Sequence, residues 1–303
     1  MKKLAPLFVV LFLSFGCNIV GGYYQPVPDG KYDNHVYLVD PEKMSLEAVN
    51  DSIGIVITKT VFTIKNDERK SFTELLEKFG IPPSAYAGTL QDRVEVETIG
   101  GGVLLFGRYF LTVEHVVIHP PLTANFPFGT AYLPYEKSAE NHYLRLKNGE
   151  IAADVKIQSL YTDRKNDIAL FELPAGTGAR SFPYTLGNSD DLLVGNFTYL
   201  VGFPRGLIVN VREGIVSSRF APEKIAEAGF AAKNAFMVSN GLNFGDSGTP
   251  LLAIRDGKYE LVGLAQGTIT GNQRLGWAIR INVIRDLLLK APKVPDEFKK
   301  FVK

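Results

Sequence analysis

Gly245-Asp246-Ser247-Gly248 sets a serine between two glycines. A serine hydroxyl is a weak nucleophile at neutral pH. It needs a base within hydrogen-bond reach and donors for the oxyanion of a tetrahedral intermediate. Flanking glycines permit a tight turn that aims successive backbone N–H groups at one point. From these four residues alone, an idle turn reads equally well. His115, in Leu111-Thr112-Val113-Glu114-His115-Val116-Val117, is one of four histidines in the chain. It is either that base or a structural imidazole. Asp167 opens the apolar run Ile168-Ala169-Leu170-Phe171. A carboxylate at the mouth of a buried strand is costly unless paired. A histidine ring N–H would satisfy it, and strand capping is the alternative. Taken together, the three supply a nucleophile, a base and an orienting carboxylate for acyl transfer.

The chain order is His115, Asp167, Ser247, with separations of 52 and 80 residues. This order resembles that of the chymotrypsin-like serine proteases and differs from the serine-first order of α/β-hydrolases. Gly101-Gly102-Val103, Val201-Gly202-Phe203-Pro204-Arg205-Gly206, Gly214-Ile215-Val216-Ser217-Ser218 and Gly276-Trp277-Ala278-Ile279 fall in the matching order around them. Over about residues 95–290 the chain looks like the protease domain of bacterial Deg/HtrA-type enzymes. The resemblance implies an all-β fold of two six-stranded antiparallel barrels, the first carrying His115 and Asp167 and the second Ser247. It implies a serine endopeptidase with an oxyanion hole from the backbone N–H groups of Gly245 and Ser247. It calls for no cofactor and no metal. Its substrates would be extended or unfolded polypeptides, and an oligomer is compatible with it. A catalytically silent protein of the same fold, binding unfolded chains or a partner, is the alternative from another class.

Several positions depart from that pattern. The Deg/HtrA form around the nucleophile is Gly-Asn-Ser-Gly-Gly, whereas Asp246 stands here. In secreted trypsin-like enzymes such an Asp receives a freshly cut N-terminal amine, and Ile19-Val20-Gly21-Gly22 has that form. The 96 residues between Ile19 and His115 are too many for that family, so Asp246 is read as a turn hydrogen-bonder. Gly241, six before Ser247, and its neighbour Leu242 are assigned to the specificity pocket together with Gly263 and Leu264. With no acid at position 241, small or medium apolar side chains are the expected preference. His115 and His119 have a zinc-like spacing, but Pro120-Pro121 ends any helix there. Residues 119–141 read as an insertion: a packed surface loop, a gate or a trimer contact. Only 13 residues follow the last expected helix, so no PDZ domain is expected and capture of substrate through one is not carried over.

The elements that must position these residues are mostly short strands. Asn148-Gly149 and Asp256-Gly257 between alternating segments are hairpin signals. Many such strands with regular turns mean a barrel or sandwich. Ser71–Phe79 predicts a short helix stopped by Gly80, and 282–290 a second with Val283, Ile284, Leu287 and Leu288 on one face. The expected organisation is a signal over 1–16, an extension and linker over 17–90, a protease unit over 91–290 and a partly frayed tail over 291–303. Within the protease unit, barrel one runs over about 91–182, barrel two over about 183–281 and the helix over 282–290.

Lys2 and Lys3 precede an apolar run from Leu4 to Phe15, too short to span a bilayer and suited to an export signal. Gly16-Cys17 follows, which resembles a bacterial lipoprotein signal and makes Cys17 the expected lipid anchor in the periplasm or cell envelope; an uncleaved anchor, since Ile19 and Val20 extend the apolar run, and a soluble secreted form are the alternatives. The one cysteine cannot close an intrachain disulfide or build a cysteine-rich metal site. The 33 basic and 32 acidic residues leave a formal charge of +1, with no excess that would point to nucleic acid.

Overall fold

The computed structural model describes residues 28–33, 45–86, 88, 90–126, 129–148, 150–151, 154–223, 231–269 and 271–303. The export signal, Cys17 and Ile19–Gly22 lie outside the described residues. The first half contains α1 (Glu47–Asn50), β1 (Ile53–Thr63), α2 (Asn66–Lys78), β2 (Arg93–Leu105), β3 (Tyr109–Thr112), β4 (Thr123–Phe126), β5 (Gly129–Tyr132), β6 (Glu136–Asn148), β7 (Glu150–Ile151), β8 (Val155–Lys156), β9 (Gln158–Asp163) and β10 (Ile168–Glu172). The second contains β11 (Thr185–Leu186), β12 (Phe197–Gly202), β13 (Asn210–Ser218), β14 (Ala235–Val238), β15 (Pro250–Arg255), β16 (Lys258–Ile269), β17 (Asn272–Arg280), α3 (Ile281–Lys290) and α4 (Asp296–Val302).

Two curled sheets result. The first runs β7-β6-β1-β2-β3-β10-β9, with β8 also on β6. Its edges approach through one stretch of chain: β8 pairs with β6, and after Ile157 the chain continues as β9 on β10. The second runs β16-β15-β12-β13-β14-β17 and closes through pairing of β16 with β17. In β2 the residues from Arg93 to Ile99 alternate in exposure, and those from Gly100 to Leu105 are all buried. The strand leaves an open face and enters the space between the barrels, so its pattern changes from Val-Glu-Val-Glu to an unbroken apolar and glycine run. One core cluster joins the sheets and the C-terminal helices, through Leu104, Phe110 and Phe171 on one side and Leu252, Leu261, Ile284 and Phe298 on the other.

The structure shifts three boundaries. Residues 53–63, placed in the extension by the sequence, form β1 between β2 and β6. A run this rich in β-branched residues suits a strand, but its partners lie 30 to 92 residues away. Helix α2 starts at Asn66 rather than Ser71, because Asp67 and Glu68 suit the positive end of a helix. Gly80, with φ 74, stops it as expected. The tail is not frayed: α4 buries Phe298 and Val302, four residues apart on one face. The Phe298 ring lies edge-on to Tyr109 and Phe106, at 4.9 and 5.7 Å between centroids. The 119–141 stretch holds the β4–β5 hairpin, and Phe126, Leu133 and Tyr135 pack with α2 around Leu76 and Tyr86. At the other end, segment 28–33 is tied to the second barrel. Tyr32 donates to Glu260 at 2.8 Å and stacks under the Arg255 guanidinium.

Candidate active site

His115 sits in the helical turn 114–116 directly after β3. Thr98 Oγ donates to the Val116 carbonyl and fixes that turn to β2. The His115 side chain is about one third exposed. Asp167 ends the β9–β10 turn at φ 57, in left-handed backbone that Asp tolerates better than most residues. It is fully buried. Its carboxylate is paired as a buried charge must be: Oδ1 accepts the His115 backbone N–H at 2.8 Å, and Oδ2 lies 2.8 Å from His115 Nδ1. Oδ2 also accepts from Gln266 Nε2 at 2.9 Å.

Ser247 follows the turn closed by Asp246 N–H to the Asn243 carbonyl. Gly245, at φ 93, supplies the positive φ that the third residue of a type II turn requires. The serine is pinned between the barrels. Its carbonyl accepts from Gly101 N–H of β2 at 2.8 Å, and Gly248 N–H donates to Ala265 of β16 at 2.7 Å. Two glycines make this approach possible: a Cβ on Gly101 would fall 2.0 Å from Thr249 Cγ2, and one on Gly248 would fall 2.2 Å from the Gly101 carbonyl oxygen. Ser247 Oγ donates to the Gln266 carbonyl at 3.3 Å. Gln266 therefore touches both Ser247 and Asp167.

The sequence missed Gln266. A lone amide in the apolar stretch Leu261-Val262-Gly263-Leu264-Ala265-Gln266 was its only signal. Glu114, also unassigned, is buried beside His115. Burial, then the Asp167 charge, raises its carboxyl above the usual range. Asp246 is more than a turn hydrogen-bonder: Arg212 of β13 grips its carboxylate with two N–H groups. The specificity assignments divide. Gly241 and Leu242 flank the nucleophile turn, with Leu242 buried against Gly276. Gly263 and Leu264 lie inside β16 instead, paired to Arg280 and Ile279, with Leu264 in the core. Nearer Ser247, Gly267 faces the Trp277 ring, 2.5 Å from where a Cβ would stand. His119 is turned away from His115, edge-on to Phe62, with Nδ1 at 2.7 Å from the Pro120 carbonyl.

The family model described as trypsin-like peptidase domain matches residues 100–264, more than half of the chain, and spans all three candidate residues. The chain belongs to the trypsin-like peptidase domain family. Among the relatives of this trypsin-like chain is a probable periplasmic serine endoprotease, DegP-like, from Buchnera aphidicola subsp. Baizongia pistaciae. It is 24% identical over 301 residues, which cover 95% of this chain and 57% of that protein. A relative of the same description from Halomonas elongata is 28% identical over 222 residues, covering 70% of this chain and 39% of that one. One from Chlamydia muridarum is 27% identical over 176 residues, 55% of this chain and 33% of the relative. The trypsin-like chain thus spans between a third and somewhat over half the length of these relatives. The HtrA-type protease AlgW solved with a decapeptide superposes with a TM-score of 0.52 at 17% identity, covering 80% of this chain and 64% of that one. AlgW with a tripeptide gives 0.51 at 16%, covering 80% and 60%. These structures share the double-barrel fold with the chain.

Proposed function

We propose that this trypsin-like chain is an exported serine endopeptidase that cuts polypeptides through an acyl-enzyme. Ser247 Oγ attacks the scissile carbonyl while His115 Nε2 takes its proton. The C–N bond then breaks, and the same proton passes to the leaving amine. Water, deprotonated by His115, next hydrolyses the Ser247 ester and restores the serine hydroxyl. Asp167 holds His115 with its Nδ1 proton inward and stabilises the imidazolium. Backbone N–H groups of Gly245 and Ser247 bind the oxyanion. One observation carries the reading: a fully buried carboxylate lies 2.8 Å from His115 Nδ1, and the residue that also binds that carboxylate accepts from Ser247.

Gly241 and Leu242, with Gly267 and Trp277 opposite, favour small or medium apolar side chains before the cut. Extended or unfolded polypeptides are the proposed substrates, in keeping with the peptides bound to AlgW. The work belongs to envelope protein quality control or processing, in keeping with the word periplasmic in the names of the relatives. Cys17 is the proposed lipid anchor. No helix among the described residues is long and apolar enough to cross a membrane.

The test is labelling by an active-site fluorophosphonate, followed by mass spectrometry. The wild-type chain labels at Ser247, and Ser247→Ala does not. Equal labelling of both, or of neither, refutes the enzyme reading and leaves the binding protein in its place.

A further inference from the structure

Phe244 stands three residues before Ser247 with 83% of its surface exposed, the most of any large apolar residue among the described residues. Leu207 and Ile208, at 68% and 67%, and Ile99 of β2, at 41%, are exposed as well. Apolar side chains gathered in water beside a reacting group mark a surface that something covers. Backbone contacts bring these four to one place. Arg205 N–H donates to the Phe244 carbonyl at 2.6 Å, which ties the nucleophile turn to the turn Pro204–Gly206. A Cβ on Gly245 would stand 2.9 Å from the Gly206 nitrogen, and one on Gly206 would stand 3.0 Å from Ile99 Cδ1. Ile99 lies two residues before Gly101, on the same face of β2. Gly101 N–H donates to the Ser247 carbonyl at 2.8 Å. Ser247, Gly245, Gly206, Ile99 and Gly101 therefore form a closed ring of neighbours.

That ring lies to one side of Ser247, and the specificity residues lie to the other. Ser247 Oγ donates to the Gln266 carbonyl and Gly248 N–H to Ala265, so β16 holds the serine from the side opposite β2. Gly267 and Trp277 continue that flank, and Leu242 packs against Gly276 beside them. A polypeptide whose side chain before the cut sits against Gly241, Leu242 and Gly267 has to leave Ser247 toward the ring. An extended chain advances about 3.3 Å per residue. Its first two residues after the cut then pass over Ile99, Leu207, Ile208 and Phe244. Arg205 is the one charged residue in Phe203–Ile208 and opposes a basic side chain there.

We propose that Phe244, Leu207, Ile208 and Ile99 form the surface that receives the leaving half of the substrate. It selects a large apolar side chain, such as Leu or Phe, in the first two positions after the cut. The proposal rests on the serine endopeptidase reading and deepens it, because selection then acts on both sides of the bond. An open surface covers about half of such a side chain, which is worth about tenfold in kcat/KM.

The experiment uses the full chain and two internally quenched peptides. They are identical up to the cut and carry Leu-Leu or Ser-Ser after it, and mass spectrometry of the products fixes the bond cleaved. Wild type is expected to favour the Leu-Leu peptide by at least about tenfold in kcat/KM. In Phe244→Ser, and in the double variant Leu207→Ser with Ile208→Ser, that ratio is expected to fall below about threefold. A merely structural loss slows both peptides alike and leaves the ratio standing, so a ratio kept in both variants overturns the proposal. A wild-type ratio near one overturns it as well. Fluorophosphonate labelling of Ser247 tells this failure from that of the parent reading, since the probe needs nothing after the cut. A wild type that labels but does not discriminate refutes the leaving-side surface alone. A wild type that does not label refutes the endopeptidase reading and this surface with it.

Discussion

Asp167→Asn is isosteric and removes one negative charge from a buried site. Asp167 accepts three hydrogen bonds: from His115 N–H on Oδ1, and from His115 Nδ1 and Gln266 Nε2 on Oδ2. An asparagine has one oxygen. Kept opposite the His115 backbone N–H, it turns its NH₂ toward the imidazole. Nδ1 must then accept, the ring proton moves to Nε2, and His115 cannot take a proton from Ser247. The flipped amide preserves the working tautomer but sets two donors face to face, its own NH₂ and the His115 N–H. The first orientation orphans a donor of its own, Gln266 Nε2–H, which the flipped amide satisfies, so the working form lies uphill by about one orphaned donor, about 1–3 kcal/mol. At about 1.36 kcal/mol per decade, the tautomer alone costs between about 5-fold and 160-fold. Loss of the charge beside the imidazolium adds to this, and about 10⁴ is the total fall known for this change in the prototype triad. The assay is kcat/KM on a fluorogenic peptide, with urea unfolding to confirm the fold. A folded variant that keeps activity within tenfold of wild type would refute the reasoning.

Three further outcomes follow from the packing and the charges. Gly101→Ala drives a Cβ onto Thr249 Cγ2 and should cost about 1–3 kcal/mol of overpacking. Thr249→Ser in the same chain removes that methyl and should recover most of the loss in urea melts; a double variant no more stable than the single would contradict the clash. Phe298→Ala empties a fully buried site between Tyr109 and Phe106 and should lower unfolding free energy by about 3–5 kcal/mol, whereas a frayed tail would register almost no change. The Glu114 carboxyl is raised above its ordinary value near 4.5 by burial, then by the charge of Asp167. The folded state therefore binds its proton more tightly than the unfolded state does. Stability from this group is present below the unfolded value and is lost as pH rises through the folded one. Glu114→Gln should raise the urea midpoint at pH 7.5 relative to wild type and lose that advantage below about pH 4.5. An advantage that grows on acidification would reverse the sign of this argument.

How far the site can be read from residues alone depends on what each interaction is local to. Gly245-Asp246-Ser247-Gly248 is a turn whose needs are written in four neighbours, so its shape was legible. The Asp256-Gly257 hairpin was legible for the same reason: both residues have positive φ, 49 and 73, between β15 and β16. The pairing of His115 with Asp167 could be expected because a buried charge needs a partner and few candidates existed. Gly263 and Leu264 were misplaced because in a barrel strand a shift of a few residues decides between core and cleft. The three steps along β16 from Gly263 to Gln266 separate a buried core position from one touching Ser247.

The residues by themselves determined the chemistry that was available: one serine in a glycine turn, one histidine after an apolar strand, one aspartate at a strand mouth, and a lone cysteine behind an export-like run. Local spacing also marked the Asp256-Gly257 hairpin and the C-terminal helix over 282–290. Only the tertiary structure decided that residues 53–63 belong to the first barrel, that 296–302 seal it, and that Gln266 bridges Ser247 and Asp167. It alone gave Asp246 its counter-ion in Arg212, 34 residues away. The physical reason is common to all four. Burial and charge pairing are set by what the rest of the chain brings alongside, and a strand's own pattern names a buried face without naming the face that covers it.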